Sequence, residues 1–259
     1  MNWSISKQAI KYYYRTIIQK KKLYRNPTYL EIAITDFCNL TCSLCSQATP
    51  LQNDKKTMSF NEIERISKFF KPYEFDRIKI SGGEPTLHPE FAKISRHLNN
   101  LFPAEKYILA TNGKKLKKYI NDVDIYDVID LTNYPGLNDN TYQELLEFDL
   151  PYLNQTKEEY AELDDVNLKN NTHKKNIYKS CSFTFTKKIV QSRIYACCIS
   201  FGQSIRQNFD RNEVSVPIDK NWRENIRKLE LESHCRNCWV KVNTSKFIPK
   251  KELKRAYVI

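Results

Sequence analysis

Tyr29 to Cys45 reads YLEIAITDFCNLTCSLC, a short strand pattern that runs straight into three closely spaced cysteines. Tyr29 to Thr35 has the composition of a strand. Cys38, Cys42 and Cys45 follow it as C-x3-C-x2-C. Spacing this tight lets one loop wrap three corners of a cubane, because thiolates are the usual ligands of iron–sulfur clusters. Three ligands leave one iron open. A structural zinc ion wants a fourth ligand close by, and the next His and Cys are His88 and Cys181. An open iron can bind a small molecule and pass it an electron.

Outward from this loop the pattern alternates. Ser59 to Phe70 is a predicted helix that opens on a capping box, Ser59 with Glu62, and buries Ile63, Ile66 and Phe70. Arg77 to Ser81 is the next strand, Pro89 to Leu101 a helix, Tyr107 to Thr111 a strand and Lys114 to Ile120 a short helix. Tyr126 to Thr132 is a further strand and Asn138 to Phe148 a further helix. Strand and helix alternate four times, which argues for parallel βα units in an α/β fold. Ser81-Gly82-Gly83-Glu84-Pro85 and Ala110-Thr111-Asn112-Gly113 lie at strand C-terminal ends, where parallel barrels gather their sites. Paired glycines let backbone come close to a ligand, and a carboxylate beside them can pair with an ammonium group. From about Asp149 the rhythm fades, and the polar stretch Asn154 to Lys175 suits a loop or a last βα unit.

At 259 residues the chain is long enough for one large core, or for a main domain with a small appendage. A 41% hydrophobic and 12% aromatic content excludes a disordered chain. No run approaches the roughly 18 apolar residues of a membrane span, and the N-terminus lacks the apolar region of a secretory signal, so a cytoplasmic location is expected. There, clustered cysteines hold metal or do chemistry more often than they form disulfides. The formal charge of +12 suits an anionic partner such as nucleic acid, a phosphorylated small molecule or an acidic membrane face. It equally suits a lysine-rich solvated surface. Residues 1–27 read as a basic helical extension, with Ile5, Ala9, Tyr13 and Ile17 near helical spacing and Asn26-Pro27 as its end. It serves either as a surface contact or as a helix lying against the barrel.

Five cysteines remain. Cys235-x-x-Cys238 is a metal spacing, and Cys181 and Cys197-Cys198 flank a predicted hairpin with arms Thr184 to Thr186 and Arg193 to Cys197. The intervening turn region, Lys187-Lys188 to Gln191-Ser192, contains no glycine. Neighbours on a strand face opposite ways, so one of the adjacent pair ligates. Four thiolates serve a [4Fe–4S] cluster or a Zn(Cys)4 knuckle. Trp222 to Leu231 reads as a helix with Trp222, Ile226 and Leu229 on one face.

The motifs C-N-L-x-C-x-L-C, I-S-G-G-E-P and T-N-G together resemble the radical S-adenosylmethionine superfamily over Tyr29 to Leu150. The resemblance implies a partial (β/α)6 TIM-like barrel over residues 28–170, followed by a small Cys-rich auxiliary-cluster module, a short hairpin plus helix, over residues 171–259. It implies a first [4Fe–4S] cluster on Cys38, Cys42 and Cys45, whose open iron is chelated by the amino and carboxylate groups of S-adenosylmethionine. Gly82, Gly83 and Glu84 would hold the methionyl ammonium, with Thr111 and Asn112 near the ribose or methionyl part. Leu44 stands where the family usually has an aromatic residue and would meet the adenine through its backbone. One-electron reduction would then yield a 5′-deoxyadenosyl radical that takes a hydrogen atom from substrate. The later cysteines resemble the family's twitch or SPASM module. Arg193-Ile194-Tyr195-Ala196-Cys197 matches its R-x-Y-x-C element, which selects Cys181, Cys197, Cys235 and Cys238 for a second [4Fe–4S] cluster. A filled cluster points to net oxidation, a dehydrogenation of a small polar metabolite such as a sugar or aminocyclitol derivative, with an external electron donor of the flavodoxin or ferredoxin type. Asn133 and Tyr134 at the barrel mouth are expected to touch substrate. Peptide modification and RNA modification are alternatives by the same radical chemistry. A zinc-knuckle nucleic-acid-binding protein is the non-enzymatic one, and it leaves Gly82-Gly83-Glu84 without a purpose.

Overall fold

The structure, a computed structural model, describes residues 29–42, 45–134, 140–148, 150, 152–157, 181, 183, 186–236 and 238. The helix expected within residues 1–27, most of the polar stretch Asn154 to Lys175, and Thr184 in the first hairpin arm lie outside the described residues. Alternation carries the chain through β1 (Tyr29–Ala33), α1 (Phe60–Ser67), β2 (Phe75–Ser81), α2 (Phe91–Leu101), β3 (Ala104–Thr111), β4 (Val128–Asn133), α3 (Thr141–Leu146) and β5 (Tyr152–Lys157). Then come β6 (Thr186–Val190), β7 (Arg193–Tyr195), α4 (Ser200–Arg206), α5 (Arg211–Val214), β8 (Ser215–Pro217), α6 (Trp222–Arg227) and α7 (Glu232–Arg236).

The eight strands among the described residues form one sheet in the order β5-β4-β3-β2-β1-β6-β7-β8. The pairs from β5 across to β6 are parallel, while β7 and β8 return antiparallel. This is an α/β fold with a mainly parallel sheet. Its sixth parallel strand inserts beside β1 and not beyond β5. The expected hairpin is therefore continuous with the barrel sheet.

Period-two alternation sorts the strands' two faces. Leu30, Ile32, Ile78, Ile80, Leu109, Ile129 and Ile189 bury on the helix side, against Ile63 and Ile66 of α1 and Ile94 and Leu98 of α2. The other face is charged. Lys188 Nζ lies 2.6 Å from Glu31 Oε1, Ser81 Oγ donates to the same oxygen at 2.7 Å, and Lys79 Nζ pairs with Asp130 Oδ2 at 2.8 Å. Burial pushes the Glu31 carboxyl up, but Lys188 and Lys79 more than cancel this and hold it below the usual carboxylate range.

Two local expectations change in tertiary context. At α1, Ser59 Oγ accepts from Glu62 N at 3.2 Å, but the Glu62 carboxylate accepts from Ser192 Oγ, so only half of the capping interaction is local. The hairpin turn is narrower than its polar sequence suggests: Lys187 and Lys188 belong to β6, and the turn is Gln191-Ser192 alone. Both have positive φ, 49° and 59°, as two-residue hairpins favour. Side chains hold this glycine-free turn in place. Gln191 Nε2 donates to Asp36 Oδ2 at 2.6 Å, and Arg65 Nη2 donates to Ser192 Oγ at 2.7 Å. The helix expected at Trp222 to Leu231 ends at Arg227. Among the described residues no helix is long and apolar enough to cross a membrane.

Candidate functional site

Three loops meet beyond the C-terminal ends of β1, β2 and β3. The first pairing is backbone to backbone: Ile34 N donates to Ser81 O at 2.9 Å, Gly83 N to Thr35 O at 2.7 Å and Glu84 N to Phe37 O at 2.7 Å. A Cβ on Gly82 would overlap the Thr35 carbonyl oxygen, and one on Gly83 the Phe37 carbonyl oxygen. The space left by these absent side chains is taken up by the backbone leading into Cys38.

Glu84 ties the loops together from below. It is 1% exposed. Its Oε1 accepts from Thr86 N at 3.2 Å, Thr86 Oγ1 at 2.6 Å and Thr111 Oγ1 at 2.7 Å, and its Oε2 accepts from Asn112 N at 2.8 Å. Burial pushes its carboxyl above the usual range, against the pull of these donors. A carboxylate offers about four acceptor sites, so the capacity left over lies on Oε2. Asn112 Nδ2 donates to Asn39 Oδ1 in the cysteine loop at 2.8 Å. Gly113 turns the chain at φ +78°, where a side chain would strike Leu131 and Thr141.

Cys38, Cys42 and Cys45 are half-buried. Burial pushes the Cys38 thiol up to about 12; the Leu40 amide opposes this, and Glu84, Cys45 and Cys42 all lie close enough to add to it. The loop continues in short turns, with Cys45 N donating to Cys42 O, Ala48 N to Cys45 O and Leu51 N to Ala48 O. Leu44 lies outside the described residues. Behind the loop, Asp36 Oδ2 accepts from Lys56 N at 3.1 Å as well as from Gln191.

The second thiol set gathers at the far end of the chain. Cys181 is buried. Burial raises the Cys235 thiol, and Cys197, Cys238 and Cys181 all lie near enough to raise it further. Cys198 faces different company. After burial, its largest influence is Glu31, with Cys197, Lys188 and Lys79 beside it. Among the described residues no three His, Cys, Asp or Glu side chains close to metal-ligand spacing. Both thiol sets are thus assembled within electrostatic reach without being drawn tight, and their donor chemistry suits iron–sulfur ligation. Asn133 ends β4 at the same sheet end, with half-buried Tyr134 after it; the Asn133 side chain is outside the description.

Sequence reasoning missed the residues that clamp this site from the C-terminal side. A Cβ on Gly202 in α4 would overlap the Ser46 carbonyl oxygen, and Arg206 Nη2 donates to Cys45 O at 3.0 Å. A signal existed. The chain has only 5 glycines, and Gly82, Gly83, Gly113 and Gly202 each mark a close approach.

Residues 32–130 match the Radical SAM superfamily. GTP 3′,8-cyclase of Actinobacillus pleuropneumoniae serotype 3 (strain JL03) is 30% identical over 111 residues, 42% of this chain and 32% of that protein. Molybdenum cofactor biosynthesis protein 1 of Drosophila melanogaster is 33% identical over 98 residues, 37% of this chain and 17% of that protein. The chain thus spans about a third or less of these relatives' length. Among solved structures, BtrN in complex with AdoMet and 2-DOIA superposes with a TM-score of 0.56 at 16% identity, covering 81% of this chain and 85% of that one. That likeness is one of fold.

Proposed function

We propose, from the premise that this chain carries a radical S-adenosylmethionine domain over residues 32–130, that it oxidises a small polar metabolite, such as a sugar or aminocyclitol derivative, by radical chemistry. The observation that carries this reading is the convergence of the three loops: the Gly82-Gly83 backbone and the Glu84 carboxylate hold the segments bearing Cys38, Asn39 and Asn112 as one unit. Cys38, Cys42 and Cys45 would hold a [4Fe–4S] cluster with S-adenosylmethionine on its open iron. When bound, a reduced cluster would supply one electron to the sulfonium of S-adenosylmethionine, chemistry that would release methionine and provide a 5′-deoxyadenosyl radical able to take a hydrogen atom.

The chain's own residues set the geometry. Glu84 Oε2 has the acceptor capacity for the methionyl ammonium, and Thr111 and Asn112, fixed through Glu84, would lie beside the ribose or methionyl part. Cys181, Cys197, Cys235 and Cys238 would hold a second [4Fe–4S] cluster of a twitch or SPASM type, supported by the mutual influence of these thiols. Four ligands fill its corners, so it suits electron transfer and not substrate binding, which favours net oxidation. The charged sheet face of Glu31, Lys79, Asp130 and Lys188 suits a hydroxyl- or amine-bearing substrate, with Asn133 and Tyr134 at its mouth. Electrons would enter from a flavodoxin or ferredoxin. A nucleotide substrate is the second reading, favoured by the charge of +12 and by relatives named GTP 3′,8-cyclase.

Anaerobic reconstitution with iron and sulfide counts tests the proposal. About eight irons per chain are expected from two four-iron clusters, with 5′-deoxyadenosine formed under a strong reductant. Replacing Cys38, Cys42 and Cys45 together by Ala should remove half the iron and all cleavage. Cleavage that survives in that variant would falsify the site assignment.

A further inference from the structure

We propose that Arg206 is a positioning residue for the three-cysteine loop, delivering its guanidinium from the C-terminal segment to the Cys45 carbonyl and holding a positive charge beside that loop's sulfurs. The proposal rests on the reading that these cysteines hold the first cluster, and adds a residue that acts on them from 161 positions away.

Geometry fixes the contact. The Cys45 carbonyl accepts two hydrogen bonds, one from Ala48 N at 2.9 Å within the loop and one from Arg206 Nη2 at 3.0 Å. Arg206 and Gly202 lie four residues apart on α4 and so share a helix face. That face lies directly on the loop: beyond the overlap with Ser46 O, a Cβ at position 202 would sit 3.2 Å from Ala48 N. Glycine therefore admits the helix, and the next residue along the face reaches the cysteine. A second tie acts at the other end of the loop, where Gln191 Nε2 donates to Asp36 Oδ2 and Gln191 Oε1 accepts from Arg211 Nη1 at 2.9 Å.

Charge gives the contact a chemical consequence. The guanidinium donates to the backbone carbonyl of Cys45 itself, so the cation stands one residue's width from that sulfur, in a half-buried setting where solvent screens charge less than in bulk water. Reducing a cluster adds one negative charge, and net charge near a cluster is one of the quantities that set its potential. A fixed cation favours the reduced form. The C-terminal segment thereby makes the first site easier to reduce, apart from any cluster of its own.

The test uses full-length wild type, Arg206→Met, which removes donor and charge at similar length, and Arg206→Lys, which keeps the charge. In iron-free protein, hydrogen exchange at the Ala48 amide should quicken roughly tenfold in Arg206→Met, the effect of losing one charge-assisted hydrogen bond. In reconstituted protein, the cluster that disappears with the Cys38, Cys42 and Cys45 replacements should show a lower midpoint potential in Arg206→Met at unchanged iron content, and a near-native one in Arg206→Lys. If Arg206→Met does not fold, Arg206→Leu, which likewise removes donor and charge, replaces it with the same expected directions. Unchanged Ala48 exchange overturns the positioning role, and an unchanged midpoint potential overturns the electrostatic one. If wild type takes up no iron at these cysteines, the cluster reading fails, while the exchange measurement still decides the role of Arg206.

Discussion

Glu84 shows how much of this site depends on single atoms. Four donors converge on its buried carboxylate, and two of them, the Thr86 and Asn112 backbone amides, cannot be turned away. Glu84→Gln keeps the shape but sets an amide NH2 against at least one of those donors. We expect it to cost about 2 to 3 kcal/mol in urea unfolding, more than a neutral isostere usually does, and to loosen the Asn112 to Asn39 link that the carboxylate supports. At this scale the sequence was informative where spacing is local. Cys38, Cys42 and Cys45 stand out as a set because they fall within one loop, and Gly82-Gly83-Glu84 because glycine is scarce. Gln191, Arg206 and Gly202 were illegible as site residues because each acts on a segment more than 150 positions away. No local pattern records such a distance.

Among the elements, β6 shows the same limit from the other side. Lys187-Lys188 reads as exposed turn material, yet Lys188 is 1% exposed and paired with Glu31 across the β1–β6 ladder. Lys187 is likewise buried, with its Nζ donating to Ala196 O at 2.8 Å. Burial and tertiary partners moved the turn, not propensity. The polar run Tyr152 to Lys157 hides β5 for a similar reason: it pairs β4 along its whole length without an alternating pattern to announce it. Lys188→Met should leave the buried Glu31 carboxylate without its ion-pair partner, with only Lys79 nearby to offset its charge, and cost about 3 kcal/mol. Adding Glu31→Leu should recover most of that loss, as a double-mutant cycle would show. The pH dependence has a definite sign. Glu31 is held below the usual carboxylate range in the folded state, so it binds protons less readily there than in the unfolded chain. Its contribution is full at neutral pH and is lost as the pH falls through its lowered folded value. Unfolding measured from pH 6 downward should show a fall in stability that is shallower in Glu31→Gln.

For the whole molecule, the parallel βα plan could be read from alternation, but strand order could not, since hydrophobic period says nothing about which edge a later strand joins. The structure joins what the sequence divides. Residues 28–170 and 171–259 were expected as barrel and module, and their described parts share one sheet. Outside the sheet, the Trp222 ring of α6 packs tilted against Phe70 at 5.0 Å and edge-on to Tyr73 at 5.9 Å between ring centres, while Arg223 lies over the Tyr73 ring. Trp222→Ala should therefore destabilise the whole chain by about 3 to 5 kcal/mol, with fluorescence and circular dichroism reporting the same single transition. Two separated transitions would show instead that the halves fold independently. The position of β6 also sets a timetable. β1 is among the first described strands to be synthesised, but its second neighbour follows only after residue 186, which at cellular rates of translation is on the order of ten seconds later. Pairing over so long a separation is slow in itself. Until it happens, the loop bearing Cys38, Cys42 and Cys45 lacks Gln191, Gly202 and Arg206, and a nascent chain stalled before β6 would present those thiols unsheltered to the first metal or oxidant to arrive.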